Sequence, residues 1–351
     1  MPSKSTFHNP VGVIGAGKFG TAVANLLAHN ADVLLHVHRR DDVEDSQPSH
    51  ITFGYPLASN VALTYHLAEV AERSTVIFPI VPSKAFRGMM QQLAPLLRPH
   101  HMLIHGTKGL DVLWPQGVDS SGLPKLTRGD VSTMSEVIQE ESVVRQVGCL
   151  AGPNLSWELA QGQPAATVVA SPLEAVIARG QQLLRSAHFQ VYSSKDLLGV
   201  ELCGVLKNII AIGAGCLSGL GYGENAKSLL VSRGMAEMIH IGRAMGASVQ
   251  PFVGLAGIGD LMATCASNLS RNHTLGYRLA KGATLQQLML KGETTEGIHT
   301  VKIIYSLAQH YQMRVPITEM MYRVLFEGLA VPEAIQYFMT HPLSHVDVDF
   351  L

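Results

Sequence analysis

The chain has 351 residues, which is more than a single hydrophobic core usually serves, so the length predicts two domains. Its 26 basic and 27 acidic residues nearly balance, and the sequence therefore lacks the basic excess typical of nucleic-acid-binding proteins. We expect a small-molecule ligand and no nucleic-acid partner.

Two further features predict a cytoplasmic protein without metal. The four cysteines lack CxxC spacing and lie in apolar or glycine-rich surroundings, which is typical of reduced core thiols. No basic segment followed by a long apolar run opens the chain, and Lys207 and Asn208 interrupt the segment that approaches membrane-spanning length. We therefore expect no metal site and no membrane insertion.

A glycine-rich turn follows the first apolar run, residues 10–14, and precedes a helical pattern at residues 21–28. Gly15 would allow the tight turn, Gly17 would let the backbone approach a pyrophosphate, and Gly20 would let the helix pack on the strand. The helix N-terminus would then face the phosphates. This order of strand, turn and helix favours dinucleotide binding over a purely structural turn.

The second predicted strand, residues 32–38, ends where the ribose of a dinucleotide would lie. The next residues are Arg39 and Arg40, followed by two aspartates, rather than one clear acid. Arginine can pair with the 2′-phosphate of NADP, whereas an acid would accept hydrogen bonds from the 2′-hydroxyl of NAD. We expect NADPH to be accepted, and the alternative is a solvated turn.

Alternating strand and helix patterns continue to residue 195. The predicted strands are 75–81, 101–105, 147–151, 166–170 and 190–192, and the predicted helices are 84–97, 174–186 and one that carries Glu158. This pattern predicts a Rossmann-type doubly wound sheet in a domain of residues 1–195, with ligands bound at the carboxyl ends of its strands.

Lys108 lies in a loop that would face the nicotinamide. Glycines flank the pair Thr107 and Lys108, which favours a backbone shaped around an anion over an ordinary surface lysine. The irregular residues 111–130 predict a surface loop, and residues 131–136 predict the start of a helix.

Residues 196–351 have helical periodicity and predict an all-helical second domain. Residues 197–222 are apolar on nearly every face, which predicts a buried helix. A lysine at position 207 of such a helix requires an explanation, because burying an unpaired ammonium is costly. It either extends to the surface along its aliphatic stem or acts as a catalytic proton donor.

A predicted helix start at Ser270, Arg271 and Asn272 would combine free N–H groups with a guanidinium and an amide. This combination suits a phosphate. The alternative is an ordinary helix N-cap followed by a surface arginine.

Together these motifs resemble the bacterial NAD(P)-dependent glycerol-3-phosphate dehydrogenases over almost the whole chain. The resemblance implies NAD(P)H as cofactor and reversible hydride transfer to dihydroxyacetone phosphate, giving sn-glycerol 3-phosphate for phospholipid synthesis. The segments that carry it are GAGKFG at 15–20, GTKGL at 106–110, GPN at 152–154, VLKNIIAIGAG at 205–215, RGMAE at 233–237, AGIGD at 256–260, SRN at 270–272, TEG at 295–297 and PITE at 316–319.

The resemblance also assigns roles to single residues. The general acid/base is Lys207, which would protonate the carbonyl oxygen, with Asp260 holding the ammonium and a pKa lowered by the apolar surroundings or by Lys108. The substrate contacts are Lys108, Gly152, Asn154, Lys207, Asp260, Ser270, Arg271 and Asn272. The cofactor contacts, which include the glycines and Arg39 from the arguments above, are Gly15, Gly17, Lys18, Phe19, Gly20, His38, Arg39, Lys108, Ser156, Arg271, Thr294 and Glu296.

Two other functions share part of this pattern. A reductase of the ketopantoate or 6-phosphogluconate type would have the glycine loop and a helical-domain lysine, but the segments at 106–110 and 270–272 argue against it. A nonenzymatic dinucleotide sensor would not need Lys108, Lys207 and Asp260 together. A homodimer is a further hypothesis, because the apolar residues 317–329 suit either a core or an interface.

Overall fold

The computed structural model describes residues 8–38, 51–52, 55–114, 123, 125–290 and 295–340. The strands in these ranges are β1 (Val11–Ile14), β2 (Val33–His36), β3 (Ile51–Thr52), β4 (Tyr55–Pro56), β5 (Val61–Thr64), β6 (Val76–Pro79), β7 (Met102–His105), β8 (Asp111–Val112), β9 (Val131–Ser132), β10 (Gln146–Ala151), β11 (Ala165–Ala170) and β12 (Phe189–Ser194). The α-helices are α1 (Lys18–Leu27), α2 (Leu67–Arg73), α3 (Ser83–Leu93), α4 (Met134–Glu141), α5 (Ser156–Ala160), α6 (Glu174–Leu184), α7 (Leu197–Gly219), α8 (Glu224–Ala244), α9 (Gln250–Val253), α10 (Asp260–Ala266), α11 (Arg271–Ala280), α12 (Leu285–Leu290), α13 (Glu296–Tyr311), α14 (Pro316–Phe326) and α15 (Val331–Thr340).

The chain divides into two compact units. The first consists of Met1–Asp111 and Thr133–Glu201, and the second of Val112–Ser132 and Leu202–Leu351. The sequence pattern predicts instead that all of residues 1–195 form one domain. In the described part of residues 112–132, the N–H of Leu126 donates to Ser306 Oγ of α13 at 2.9 Å.

The first unit contains a twisted sheet of eight strands in the order β12-β11-β10-β7-β6-β1-β2-β5. Neighbouring strands are parallel except β10 and β11, which are antiparallel. In the central register, Val11 lies opposite Val33 and Gly12 opposite Ile77. The carboxyl ends of β1, β2, β6, β7 and β10 therefore meet at one edge. The prediction of a Rossmann-type sheet is confirmed.

Apolar side chains cover both faces of this sheet. Leu35 and Phe78 belong to one core cluster, which includes Leu27 of α1. Leu34 and Ile77, the residues before them, belong to a second cluster, which includes Phe86 of α3. Adjacent strand residues point to opposite faces, so burial of both faces requires the continuous apolar runs seen in the sequence.

Two predicted helix boundaries in the first unit were wrong. The helix predicted to start at residue 131 begins at Met134, after a capping box, because residues 131–132 form β9. In that box the N–H of Glu136 donates to Thr133 Oγ1, and the Glu136 carboxylate accepts from the N–H of Thr133. Helix α3 ends at Leu93 rather than residue 97, because Pro95 lacks the N–H needed to continue it and a 3₁₀ turn follows.

Helix α7 is the apolar centre of the helical part. By length and composition this helix could cross a membrane, because its most apolar stretch has a mean hydropathy of 1.7. However, 89% of that stretch is buried within the protein, as in the core helix of a soluble protein. It crosses α11 at close range: a Cβ on Gly215 would lie 1.9 Å from the carbonyl oxygen of His273, and one on Gly276 would lie 1.9 Å from that of Ile212. These glycines let the helix backbones touch, which places the start of α11 beside the middle of α7.

Candidate active site

The glycine loop after β1 has the geometry that its spacing predicts. Gly15 has a φ of +109°, and a Cβ there would lie 2.2 Å from the carbonyl oxygen of Ile80. A Cβ on Gly20 would lie 1.8 Å from the carbonyl oxygen of Gly15. Side chains at these two positions would therefore displace the turn or the helix that follows it.

Gly17 differs from these two glycines because no atom of the described residues would lie within 4 Å of its Cβ. It is the N-cap of α1, and no side chain in the described part of the chain caps the first turn of that helix. The N–H groups of the turn therefore have no intrahelical partner and suit an anion. Open space in front of a helix N-terminus fits the pyrophosphate of a dinucleotide.

Gly17→Ala should weaken NADH binding about tenfold, or about 1.4 kcal/mol, because the added methyl group would occupy the space proposed for the pyrophosphate. Fluorescence titration with NADH measures the change. Gly88→Ala is the matched control, since its Cβ also meets nothing within 4 Å but lies in α3. Equal affinities in the two variants would contradict pyrophosphate binding at Gly17.

Residues after β7 and β10 approach one another at the same sheet edge. Lys108 Nζ donates to the carbonyl oxygen of Gly152 at 3.2 Å. Asn154 Nδ2 donates to the carbonyl oxygen of Ala166 at 3.0 Å, while its buried Oδ1 accepts no hydrogen bond within the described ranges. A Cβ on Gly106 would lie 3.0 Å from the Phe19 ring. The predicted residues Phe19, Lys108, Gly152 and Asn154 are thus all held at this edge.

The end of β2 has a buried and an exposed histidine. Burial, reinforced by the charges of His38 and His66 against a backbone hydrogen bond with Tyr65, lowers the pKa of His36 to about 4. His36 is therefore neutral at neutral pH, and His38 is exposed beside it. Arg39 and Thr294, both predicted cofactor contacts, lie outside the described residues. Lys18 and Ser156 begin α1 and α5.

In the second unit, Lys207 lies in the buried middle of α7 with only 5% of its surface exposed. Its Nζ donates to Asp260 Oδ1 at 2.5 Å and to Thr264 Oγ1 at 2.6 Å. The lysine therefore does not extend to the surface. An opposite charge at this distance favours the ammonium form, whereas burial alone would favour the neutral amine.

Thr264 contacts the predicted site residue Lys207 but was not predicted from the sequence. Its hydroxyl accepts from Lys207 and donates to the carbonyl oxygen of Asp260 at 2.6 Å, so its hydrogen has a fixed direction. Asp260 and Thr264 are four residues apart in α10, a spacing that places them on one helix face. That spacing could have identified Thr264 once Asp260 was chosen.

The predicted phosphate site is a capped helix start. Ser270 Oγ accepts from the N–H of His273, which leaves the N–H groups of Arg271 and Asn272 without an intrahelical partner. The Arg271 side chain is exposed. The Asn272 side chain is buried and bridges two segments.

The Asn272 bridge connects three parts of the second unit. Its Nδ2 donates to Asn208 Oδ1 at 2.9 Å, and its Oδ1 accepts from the N–H of Gly297 at 3.1 Å. Glu296, the residue before Gly297, begins α13. The described structure therefore brings the predicted residues Asn272 and Glu296 close to Asn208, which the sequence analysis did not include in the site.

A doubly wound sheet with a glycine loop, and a helical unit with a buried Lys–Asp pair, define a two-unit NAD(P)-dependent oxidoreductase. Two family descriptions then match the chain: "NAD-dependent glycerol-3-phosphate dehydrogenase N-terminus" over residues 10–177 and "NAD-dependent glycerol-3-phosphate dehydrogenase C-terminus" over residues 196–336. The chain belongs to the glycerol-3-phosphate dehydrogenase family, and its cofactor is NAD(P)H. The described residues contain no group of three or more His, Cys, Asp or Glu side chains that could hold a metal.

Known proteins resemble the chain over nearly its full length. Glycerol-3-phosphate dehydrogenase [NAD(P)+] of Geobacter sulfurreducens is 37% identical, over 95% of this chain and 98% of that protein. The protein of the same name from Pseudomonas putida strain GB-1 is 38% identical, over 99% and 98%. A crystal structure of glycerol-3-phosphate dehydrogenase from Coxiella burnetii superposes with a TM-score of 0.84 at 31% identity, covering 95% of this chain and all of that chain.

A ketopantoate reductase structure from Ralstonia eutropha is a more distant neighbour. It has 15% identity and a TM-score of 0.54, and covers 94% of this chain and 99% of its own. This likeness shows the fold alone. The family identification, predicted from the motifs, is confirmed over the ketopantoate alternative.

Proposed function

We propose that Lys207 is the general acid/base in reversible hydride transfer between NAD(P)H and dihydroxyacetone phosphate, giving sn-glycerol 3-phosphate. The observation that carries the proposal is the buried Nζ of Lys207, which lies 2.5 Å from Asp260 Oδ1 and 2.6 Å from Thr264 Oγ1. The nicotinamide, when bound, supplies the hydride to the carbonyl carbon. Dihydroxyacetone phosphate-dependent oxidation of NADH tests the reaction, with ketopantoate as the control substrate.

The lysine must supply a proton to the carbonyl oxygen as the carbon gains the hydride. Lys207 donates an Nζ proton in the reduction and, as the neutral amine, takes it back from the hydroxyl in the oxidation. Asp260 stabilises the ammonium before transfer, since an unpaired buried charge would be costly. Thr264 restricts the direction of Nζ because its own hydrogen is committed to the Asp260 carbonyl.

The phosphate group of the substrate stays unchanged during the reaction, so binding it can position the reacting carbonyl. We assign it to Arg271 and the N–H groups after Ser270, because an exposed guanidinium and a helix N-terminus both stabilise an anion. Lys108, Gly152 and Asn154 are assigned to the substrate on their shared sheet edge. The Asn272 side chain is assigned a positioning role, because it is hydrogen-bonded to Asn208 and to the N–H of Gly297.

The proposed cofactor contacts are those predicted from the resemblance. The glycine loop would hold the pyrophosphate, and the remaining contacts are Lys18, Phe19, His38, Arg39, Lys108, Ser156, Arg271, Thr294 and Glu296. Support from the described geometry is direct for the glycine loop and for Phe19, which packs beside Gly106. Acceptance of NADPH depends on the two arginines after β2.

Replacing Arg39 and Arg40 together with Ala should weaken NADPH binding about tenfold, because a charge-assisted contact to the 2′-phosphate would be lost. NADH binding should stay within about twofold, since NADH lacks that phosphate. Parallel titrations with the two cofactors measure the difference. Equal losses would identify the arginines as a solvated turn.

We further propose a cytoplasmic location and a role for the product in phospholipid synthesis, as the resemblance implies. A strain that lacks the gene should then grow only with added glycerol 3-phosphate or with the gene restored. Homodimer formation also stays a proposal. Of the apolar residues that suggested an interface, Ile317, Met321 and Leu325 are buried within the chain itself.

A further inference from the structure

A buried polar cluster in the first unit has no role in the chemistry above. His105 has 1% and Glu201 7% of its surface exposed. His105 Nε2 lies 2.9 Å from Glu201 Oε1 and 3.2 Å from Ser135 Oγ. The N–H of Ser135 also donates to Glu201 Oε1 at 2.9 Å. Burying polar groups is costly unless hydrogen bonds satisfy them, and a buried network that is satisfied in this way makes the surrounding structure rigid.

The contacts define the hydrogen-bond pattern of the cluster. His105 Nδ1 is buried and has no hydrogen-bond partner among the described residues, so a proton there would be unsatisfied. The geometry therefore assigns a hydrogen to Nε2, which donates to Glu201. Glu201 is a residue of α7, and its Oε1 also accepts from the N–H of Ser135, the second residue of α4.

This cluster holds the strand end that leads to Lys108. His105 is the last residue of β7, and its ring packs edge-on against Phe86. The next two residues are also held by hydrogen bonds. The N–H of Gly106 donates to the Pro79 carbonyl at 3.1 Å, and Thr107 Oγ1 donates to the Val81 carbonyl at 2.7 Å. Lys108 follows directly.

We propose that the His105–Glu201 pair is a positioning device for Lys108. The hydrogen bond from His105 to Glu201 fixes the carboxyl end of β7 against the start of α7, and the N–H of Ser135 ties the same carboxylate to the start of α4. This sets where the loop presents Lys108. The inference rests on the proposed substrate role of Lys108. Neither His105 nor Glu201 is assigned a contact with substrate or cofactor.

A matched pair of variants separates the hydrogen bond from the packing of the ring. His105→Gln can place an amide N–H near the position of Nε2, whereas His105→Asn is too short to reach Glu201. We expect His105→Asn to raise KM for dihydroxyacetone phosphate about fivefold with kcat within about twofold, and His105→Gln to stay near wild type. Glu201→Gln, which keeps an acceptor oxygen, should also stay close to wild type. Thermal melting of each variant identifies any that are not folded at the assay temperature.

A double-mutant cycle with Lys108→Ala distinguishes positioning from general destabilisation. Lys108→Ala alone should raise KM about tenfold, and adding His105→Asn should raise it less than about twofold further, because the positioned group is already absent. The positioning role would be overturned if the KM increase of the double variant equalled the product of the two single increases, or if folded His105→Asn had an unchanged KM. Either result would leave Lys108 in the site. A wild-type KM in Lys108→Ala would remove Lys108 from the site and this inference with it, but not the reaction of the family.

Discussion

Lys207→Ala should lower kcat for the reduction of dihydroxyacetone phosphate by about 10² to 10⁴, the range expected from loss of a general acid. The structural reason is that the Nζ held by Asp260 and Thr264 is the proton source assigned to this site. NADH binding should persist, because the glycine loop belongs to the first unit and is untouched. Steady-state kinetics and NADH titration measure the two properties separately.

Controls must separate lost chemistry from lost stability. Removing the lysine leaves Asp260 without this partner in a buried position, a change that costs about 3–5 kcal/mol in comparable pairs. Lys207→Arg keeps a cation opposite Asp260 but cannot donate its proton at neutral pH, so it should fold and still lose turnover. Near wild-type kcat in a folded Lys207→Arg or Lys207→Ala variant would remove Lys207 from the mechanism.

Arg271→Ala should reduce kcat/KM for dihydroxyacetone phosphate by roughly ten- to a hundredfold or more, since a charge-assisted hydrogen bond contributes about 1.5–3 kcal/mol. The phosphate lies away from the reacting carbonyl, but its binding positions the carbonyl, so ground-state and transition-state binding should both suffer. The measurement is kcat/KM for the phosphorylated substrate and for dihydroxyacetone.

The preference for the phosphorylated substrate is the more specific measurement. In Arg271→Ala it should shrink, because unphosphorylated dihydroxyacetone makes no contact with the guanidinium in either protein. Arg278→Ala, at the other end of α11, is the matched control and should keep the full preference. Full preference in Arg271→Ala would instead assign the phosphate elsewhere, with Lys108 the next candidate.

Local patterns predicted the parts of the fold that depend on local chemistry. The β-branched run at β1, the glycines Gly15, Gly17 and Gly20 and the helical pattern after them define a strand, turn and helix without reference to the rest of the chain. The helix around Lys207 was predicted to be buried because it is apolar on nearly every face, whereas the sequence left open whether Lys207 itself extends to the surface. Its 5% exposure excludes the surface alternative.

Long-range contacts could not be predicted in the same way. The bridge from Asn208 through Asn272 to Gly297 joins residues that are far apart in sequence, and no spacing rule connects them. Within residues 112–132, Leu126 and Arg128 contact the second unit through hydrogen bonds to Ser306 and Tyr311. The local sequence around Leu126 contains no sign of these partners. The roles of Arg39 and Thr294 stay predictions from sequence.

Chemical rescue tests the role of Lys207 most directly. The measurement is the rate of NADH oxidation by dihydroxyacetone phosphate in Lys207→Ala as ethylamine is added, compared with wild type. If Lys207 is the proton donor, the added ammonium should enter the space left by the side chain, and the rate of the variant should rise with amine concentration until it saturates, while the wild-type rate stays constant. Identical responses of the two proteins to ethylamine would contradict a proton-donor role for Lys207.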